Sequence, residues 1–370
     1  MKPKNNSLPE VEEGKKSPPQ IVNFAKTGSF FMAQNEPSLF YPYYFQKLLS
    51  KKQQHYYNSN GHSLLLKNLQ VEVVSPIYDC KKLWEEFSPN LTLFDTWDFR
   101  LAFLEGYNRT PYFLTLKNSL ENIALLPLWY EEDNKQYTWF GSTWQEENKF
   151  FVKDELMIPI LLAICPSPVI LNAISTELSS WAKEVIKLTP DDPKYILSLD
   201  NIGSIDDYLS TLKKKKRYNL KRDRRIIESQ NPKVIFNRFD DFDTLIDLNI
   251  TRFEEKGEDT DWEDPRRIET FRRVIDLGNT GESYQTRMLT VVIDNKVAAV
   301  DLIATFNGCY YPLKCGYDIK NFPGIGNYVN LLEIEDAISL GMKKMDFLEI
   351  GYGWKDKWFE EIPLLQYEKK

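Results

Sequence analysis

Histidine is nearly missing from this chain: His55 and His62 are the only two in 370 residues. A serine–histidine triad or a histidine-built metal cage is therefore poorly supplied. Cys80, Cys165, Cys309 and Cys315 form no CxxC pair and have no histidine beside them, which argues against zinc and gives no disulfide framework. That cysteine usage fits a reducing compartment. Long apolar runs are also lacking. The longest, "LMIPILLAICPSPVIL" at residues 156–171, is short for a membrane span and broken by three prolines, so it reads as buried core. The first twenty residues are polar and carry four prolines, so no signal peptide is expected and cytoplasmic residence follows as the default. Nor is the chain basic: its net charge of −7 means that any anion site must be local.

What is present suits a soluble globular protein, with 42% hydrophobic and 27% charged residues and length enough for two domains. Residues 1–35 are rich in Pro, Lys, Glu and Asn and read as a disordered tail. An aromatic arm follows at residues 36–68, and its stretch 40–57 is a candidate dimer contact. The first folded unit is expected over residues 69–200. It opens on a strand at "LQVEVV", then a short helix, then a helix "TWDFRLAFLEGY" with Trp97, Leu101 and Leu104 on its apolar face. The strands "YFLTL", "NIALLPLWY" and "YTWFGS" come next. The second unit is expected over residues 201–370. Ser204, three positions before Asp207, is placed to cap its first helix. Two further helices lead to a hairpin turning at Asp294–Lys296, then to "CYYPLKCGYD", a glycine turn "PGIG", a helix and the strand "KMDFLEIG". Helices and strands in this order indicate a mixed α/β (α+β) fold.

The PGIG turn carries the first chemistry. Gly324 and Gly326 leave backbone amides open, and Asn327 begins a helix whose dipole favours an anion. A phosphate site and an ordinary strand-to-helix turn are both open readings. Gly316 sits inside a strand, where either a bulge or a close backbone approach accounts for it. Asp301 interrupts the apolar strand "VAAVDLIA"; if buried, its pKa would rise into the range of a general base. Residues 213–225 hold nine basic residues against one acid, either a solvated face or an anion site.

Together "YLSTLKKKKRYNLKRDRRIIE", "VAAVDLIATFNGCYYPLKCGYD", "PGIGNYVNLLEIEDAISLGMKKMDFLEIG" and "WKDKWF" resemble the CelD-like branch of the GNAT acyltransferases, relatives of the Fem-type aminoacyl transferases. The resemblance spans roughly residues 69 to 365. It implies two tandem GNAT-like domains, each a mixed, mostly antiparallel sheet flanked by helices. It further implies an N-acyltransferase moving an acyl group from acyl-CoA to an amine, such as an amino sugar, a peptide or a cell-envelope polysaccharide precursor, without a metal. On that basis the backbone of Lys314, Cys315 and Gly316 would meet the acyl carbonyl, and Gly324, Ile325, Gly326 and Asn327 the carrier's pyrophosphate. Asp301 would be the base, Tyr317 would protonate the leaving group, and Lys355 would neutralise charge at the reacting centre. Arg217, Lys221 and Arg222 are the expected anion binders. The family pattern has an acidic pair and Tyr-Lys after the last strand, whereas here "YGWKDKW" lacks the acids and places Trp354 at the tyrosine. Two rival readings are an aminoacyl-tRNA-dependent transferase and a non-catalytic binder of polyanions.

Overall fold

A computed structural model describes residues 69–118, 121–281, 283–351 and 353–370, with Ser38–Leu39, Lys51 and Gln54. The expected tail, the dimer contact at residues 40–57 and both histidines lie outside the described residues, Ser38–Leu39, Lys51 and Gln54 being the only described positions of the arm.

Two mostly antiparallel sheets, each flanked by helices, make up the molecule. In chain order the first part holds β1 (Ser38–Leu39), β2 (Gln70–Val74), α1 (Ile77–Phe87), α2 (Trp97–Tyr107), β3 (Pro111–Lys117), β4 (Asn122–Glu131), β5 (Gln136–Trp139), β6 (Phe151–Val152), α3 (Met157–Ile164), β7 (Val169–Ile174), α4 (Ser180–Val185), β8 (Thr189–Pro190) and β9 (Lys194–Ser198). The second holds α5 (Ile205–Thr211), α6 (Lys214–Glu228), β10 (Lys233–Phe236), α7 (Phe242–Glu254), α8 (Pro265–Thr280), β11 (Gln285–Ile293), β12 (Lys296–Phe306), β13 (Cys309–Tyr317), α9 (Ile325–Ser339), β14 (Lys344–Glu349), β15 (Glu360–Ile362) and β16 (Leu365–Lys369). The first sheet runs β1-β2-β3-β4-β5-β7-β16-β8, with β6 also on β4; the second runs β10-β11-β12-β13-β14-β9-β15. Within each sheet one neighbouring pair is parallel, β5 with β7 and β13 with β14.

The sheets do not divide at a single chain position. Strand β9, which precedes residue 200, lies in the second sheet between β14 and β15, and the last strand, β16, lies in the first beside β7. Each half thus lends a strand to the other.

Alternation along β4 shows how the cores form. Ala124, Leu126 and Leu128 face the core that holds α3, while Leu125 and Trp129 face a core shared between the halves. The apolar run 156–171 splits into α3 and the start of β7 and is buried in that first core. In the shared core Phe103 and Trp144 meet Phe271 edge-on at centroid distances of 6.1 and 5.0 Å. This packing widens the expected apolar face of α2, whose Trp97, Leu101 and Leu104 all pack on the shared core. Leu101 and Leu104 are only half-buried, whereas Phe99, Ala102 and Phe103 are fully buried with Trp97 and Tyr107. The reason is that α2 packs on α8 as well as on its own sheet, so closely that a Cβ on Gly106 would fall 2.0 Å from Thr270 Oγ1.

Two local expectations are met closely. Ser204 Oγ accepts from the Asp207 amide at 3.2 Å, capping α5. The β11–β12 hairpin turns through Asp294 and Asn295, with φ of 49° and 62°, the left-handed pair that a two-residue hairpin requires.

Candidate active site

Strands β13 and β14 pair only at Cys309–Lys344 and Tyr310–Met345 and then part. Helix α7 holds β13 on its side of the opening: Asn249 Nδ2 donates to the Cys315 carbonyl at 2.7 Å, and a Cβ on Gly316 would lie 2.3 Å from the Leu245 carbonyl oxygen. Close approach to a helix is therefore what Gly316 is for. On the other side β14 bends away through Leu348 and Ile350, with φ of 65° and 60°, and its register on β9 shifts between Asp346 and Glu349. Between the strands opens a cleft of about 790 Å³, lined also by residues of α9 and by Trp144 and Glu146 from the first half.

Charged side chains meet deep in the cleft, most of them shielded from solvent. Lys355 Nζ donates to the carbonyls of Phe347 and Glu349 at 2.5 and 2.7 Å. Burial lowers its pKa, and Glu146 is the strongest influence opposing that. Glu146 accepts from the Glu349 amide at 2.5 Å. Burial pushes its carboxyl up to about 7 against the pull of Lys355. Burial, helped by Glu146, lifts Glu349 to about 9, so that it is protonated at neutral pH. Lys314 reaches into the cleft with its side chain: its ammonium sits 2.5 Å from Asp261 and 5.1–5.3 Å from the rings of Trp144, Trp262 and Phe271.

A second group lies towards α9. Asp301 is buried, and Tyr317 Oη donates to its Oδ2 at 2.7 Å. Burial raises Asp301 to about 7, and burial together with Asp301 keeps the carboxyl of Glu333 well above its ordinary range. Burial likewise holds the Tyr317 hydroxyl protonated, far above the usual tyrosine value.

The turn at α9 is formed much as its glycines require. Gly324 has φ of 92°, and the Ile325 amide donates to the Phe322 carbonyl at 3.1 Å. A carboxylate of the protein stands beside the turn, however. Asp223 Oδ2 accepts from Asn327 Nδ2 at 2.7 Å, Arg222 binds its Oδ1 at 2.8 and 3.0 Å, and a Cβ on Gly324 would come 3.1 Å from Asp223 Cβ.

Asp301, Tyr317, Lys355, Lys314, Cys315, Gly324, Gly326 and Asn327 all line this one cleft. Ile325 is buried in the core behind it, and Gly316 faces α7. The basic residues singled out on α6 do not line it. Arg217 donates to the Ser210 carbonyl, Lys221 pairs with Asp206 at 2.8 Å, and Arg222 is engaged by Asp223. Glu146, Asp223, Glu333 and Glu349 are not among the expected site residues; Asp223, the one acid of the basic run 213–225, and Glu333, an acid among the apolar residues of "LLEIE", carry a visible signal, whereas Glu146 and Glu349 carry none. Among the described residues no group of three or more His, Cys, Asp or Glu is placed to hold a metal, and no helix is long and apolar enough to cross a membrane.

Sheets of this topology, with a parallel pair splayed ahead of a helix N-terminus, define the GNAT fold. Residues 214–356 match the family model described as an acetyltransferase (GNAT) domain. Among solved structures, FemX aligns with a TM-score of 0.54 at 11% identity over 80% of this chain and 97% of its own. A tandem GNAT protein from the clavulanic acid biosynthesis pathway aligns with a TM-score of 0.48 at 8% identity, covering 81% of this chain and 98% of that one. L-PGS from Bacillus licheniformis aligns with 0.47 at 11% identity, covering 74% and 92%. No curated protein sequence matches the chain significantly.

Proposed function

We propose that the protein is an N-acyltransferase in which an amine attacks an activated acyl donor where β13 and β14 part. The observation that carries this reading is the meeting of Glu146, from the first half, with Lys355, from the second, at the deep end of that opening. An acyl thioester or ester is already activated, so the protein must align an uncharged amine and offset the charge that develops on the carbonyl oxygen. Glu146, with a carboxyl near 7, is suited to take the proton of the attacking nitrogen. The bond from nitrogen to the acyl carbon forms as the bond to the leaving thiolate or alkoxide breaks. Lys355, anchored on two backbone carbonyls, supplies positive charge at that point. Tyr317, kept protonated, is a hydrogen-bond donor elsewhere in the same cleft.

Acyl-CoA is the first donor to test, because the Gly324–Asn327 turn opens a helix N-terminus towards the cleft. Asp223 favours a second donor, the aminoacyl ester of a tRNA, whose phosphates would remain outside; a pyrophosphate on the turn would have to displace that carboxylate. The test is CoA release from acetyl-CoA with a panel of amines, beside transfer from aminoacyl-tRNA. Glu146→Gln is expected to lower turnover with the active donor by about 100-fold or more. Failure with both donors overturns the reading.

A further inference from the structure

We propose that Arg252 anchors a carboxylate of the acceptor, so that the amine acylated by this transferase belongs to an amino acid or a peptide. The inference rests on the acyltransferase reading for the amine and on Arg252 for the carboxylate. Helix α7 and the turn after it present Asn249, Arg252, Phe253 and Lys256 to the cleft, the spacing of one helical face. Asn249 pins this face: its Nδ2 donates to the Cys315 carbonyl at 2.7 Å, and its Oδ1 accepts from Thr260 Oγ1 at 3.0 Å. Arg252 is half-buried and unmatched. Its Nη1 donates to Cys315 Sγ at 3.9 Å, its Nε is buried without an acceptor, and among the described residues no carboxylate pairs with it. Other arginines of this half do find a carboxylate: Arg224 has Glu335, Arg272 has Asp243 and Arg287 has Asp336. The rings of Phe253 and Tyr317, 5.1 and 5.6 Å from the guanidinium carbon, attract the cation but give its N–H groups no oxygen acceptor.

The surroundings leave that charge open. Burial keeps Cys315 a neutral thiol and Tyr317 a neutral hydroxyl. Asp301 attracts Arg252, but its carboxyl is hydrogen-bonded to Tyr317 and to Glu333. Asp261 is held by Lys314 at 2.5 Å and Glu258 by Lys256 at 3.8 Å, while Asp259 lies exposed on the rim. A guanidinium with free donors suits a carboxylate, which accepts two parallel N–H bonds from its planar fork and matches its single charge. The position favours the acceptor over the donor. Phe242, Leu245 and Ile246 of α7 pack in the shared core, whereas Ile325 and Val329 of α9 pack in another, so Arg252 enters the cleft from the side away from the Gly324–Asn327 turn. Cys315 neighbours both ends of such an acceptor: it touches Arg252, and it is among the groups that act on Lys355. A carboxylate on Arg252 and an amine beside Lys355 and Glu146 therefore fit one small molecule.

Calorimetric titration of the full chain with alanylalanine tests this, with the C-terminal amide of the same dipeptide as the control that lacks the carboxylate and with coenzyme A titrated beside them. Alanylalanine is expected to bind saturably, and its amide about tenfold more weakly or worse. Arg252→Gln should weaken the dipeptide by about tenfold or more, the worth of a charge-assisted hydrogen bond, and leave the amide and coenzyme A unchanged. Arg252→Lys, which keeps the charge but loses the fork, should recover only part of the loss. The melting temperature of each variant is recorded alongside. Arg252→Gln removes an unpaired, half-buried charge and is expected to melt no lower than the wild type; should it unfold, Arg252→Lys decides. Equal affinity for dipeptide and amide, unchanged dipeptide affinity in a folded variant, or no dipeptide binding at millimolar concentration overturns the proposal. Loss of coenzyme A binding with dipeptide binding intact overturns it too, by assigning Arg252 to the donor. Because the readout is binding, these outcomes stand apart from the transfer assay: transfer intact without carboxylate-dependent binding sinks this inference alone.

Discussion

Glu146 works as a proton acceptor only when ionised. With its carboxyl at about 7, kcat/KM is expected to rise with pH through that value, and Glu146→Gln should abolish the rise along with most of the rate. Lys355 acts in the opposite sense: its pKa is lowered by burial, so the alkaline limb should fall as its charge is lost, earlier than for an exposed lysine. Glu349 gives a stability test. Its carboxyl stands at about 9 in the folded state against 4.5 in the reference, so the folded state binds a proton that the unfolded state releases. Stability therefore falls as pH rises between those values. Glu349→Gln is expected to raise the melting temperature at pH 8 and leave it nearly unchanged at pH 4; the same shift at both would refute the assignment. Asp301 could be found in the sequence because an acid interrupts an apolar alternation. Glu146 could not, since "WQEENK" has no period and its importance comes from packing against residues about two hundred positions away.

At the level of elements, the opening between β13 and β14 depends on how α7 seats against β13. Gly316→Ala places a methyl group against the Leu245 carbonyl, and a backbone oxygen has no rotamer with which to escape. A loss of about 1–3 kcal/mol in denaturant stability is expected, with weaker donor binding as the strand shifts. An unchanged midpoint would show that α7 is free to slide. The sequence offered two reasons for this glycine, a bulge or a close approach; tertiary packing chose the second, with a helix as the approaching partner. Local signals served better where the cause was local. The Ser204 cap and the Asp294–Asn295 turn follow from interactions within a few residues. Trp97, Leu101 and Leu104 pack on the core as expected, but Phe99, Ala102 and Phe103 are buried as well, because α2 has α8 as a neighbour in addition to its own sheet.

On the scale of the whole molecule, the fold class was legible from element order, but the exchange of β9 and β16 was not. Strand pairing across such distances leaves no mark on composition or periodicity. Because of that exchange and the shared aromatic core, the two halves are expected to unfold in one calorimetric transition. Residues 201–370 expressed alone, lacking β9, should give no cooperative melt. Two resolved transitions in the full chain would contradict this. Removing residues 364–370 should lower the melting temperature by weakening the first sheet, far from the cleft. The exchange also bears on synthesis. While the first half leaves the ribosome, the edge of β7 that β16 will cover stays bare until almost the whole second half has followed. The nascent chain thus carries an open strand edge through most of translation, and slow elongation or a stall in the second half is where this protein is most exposed to misassembly.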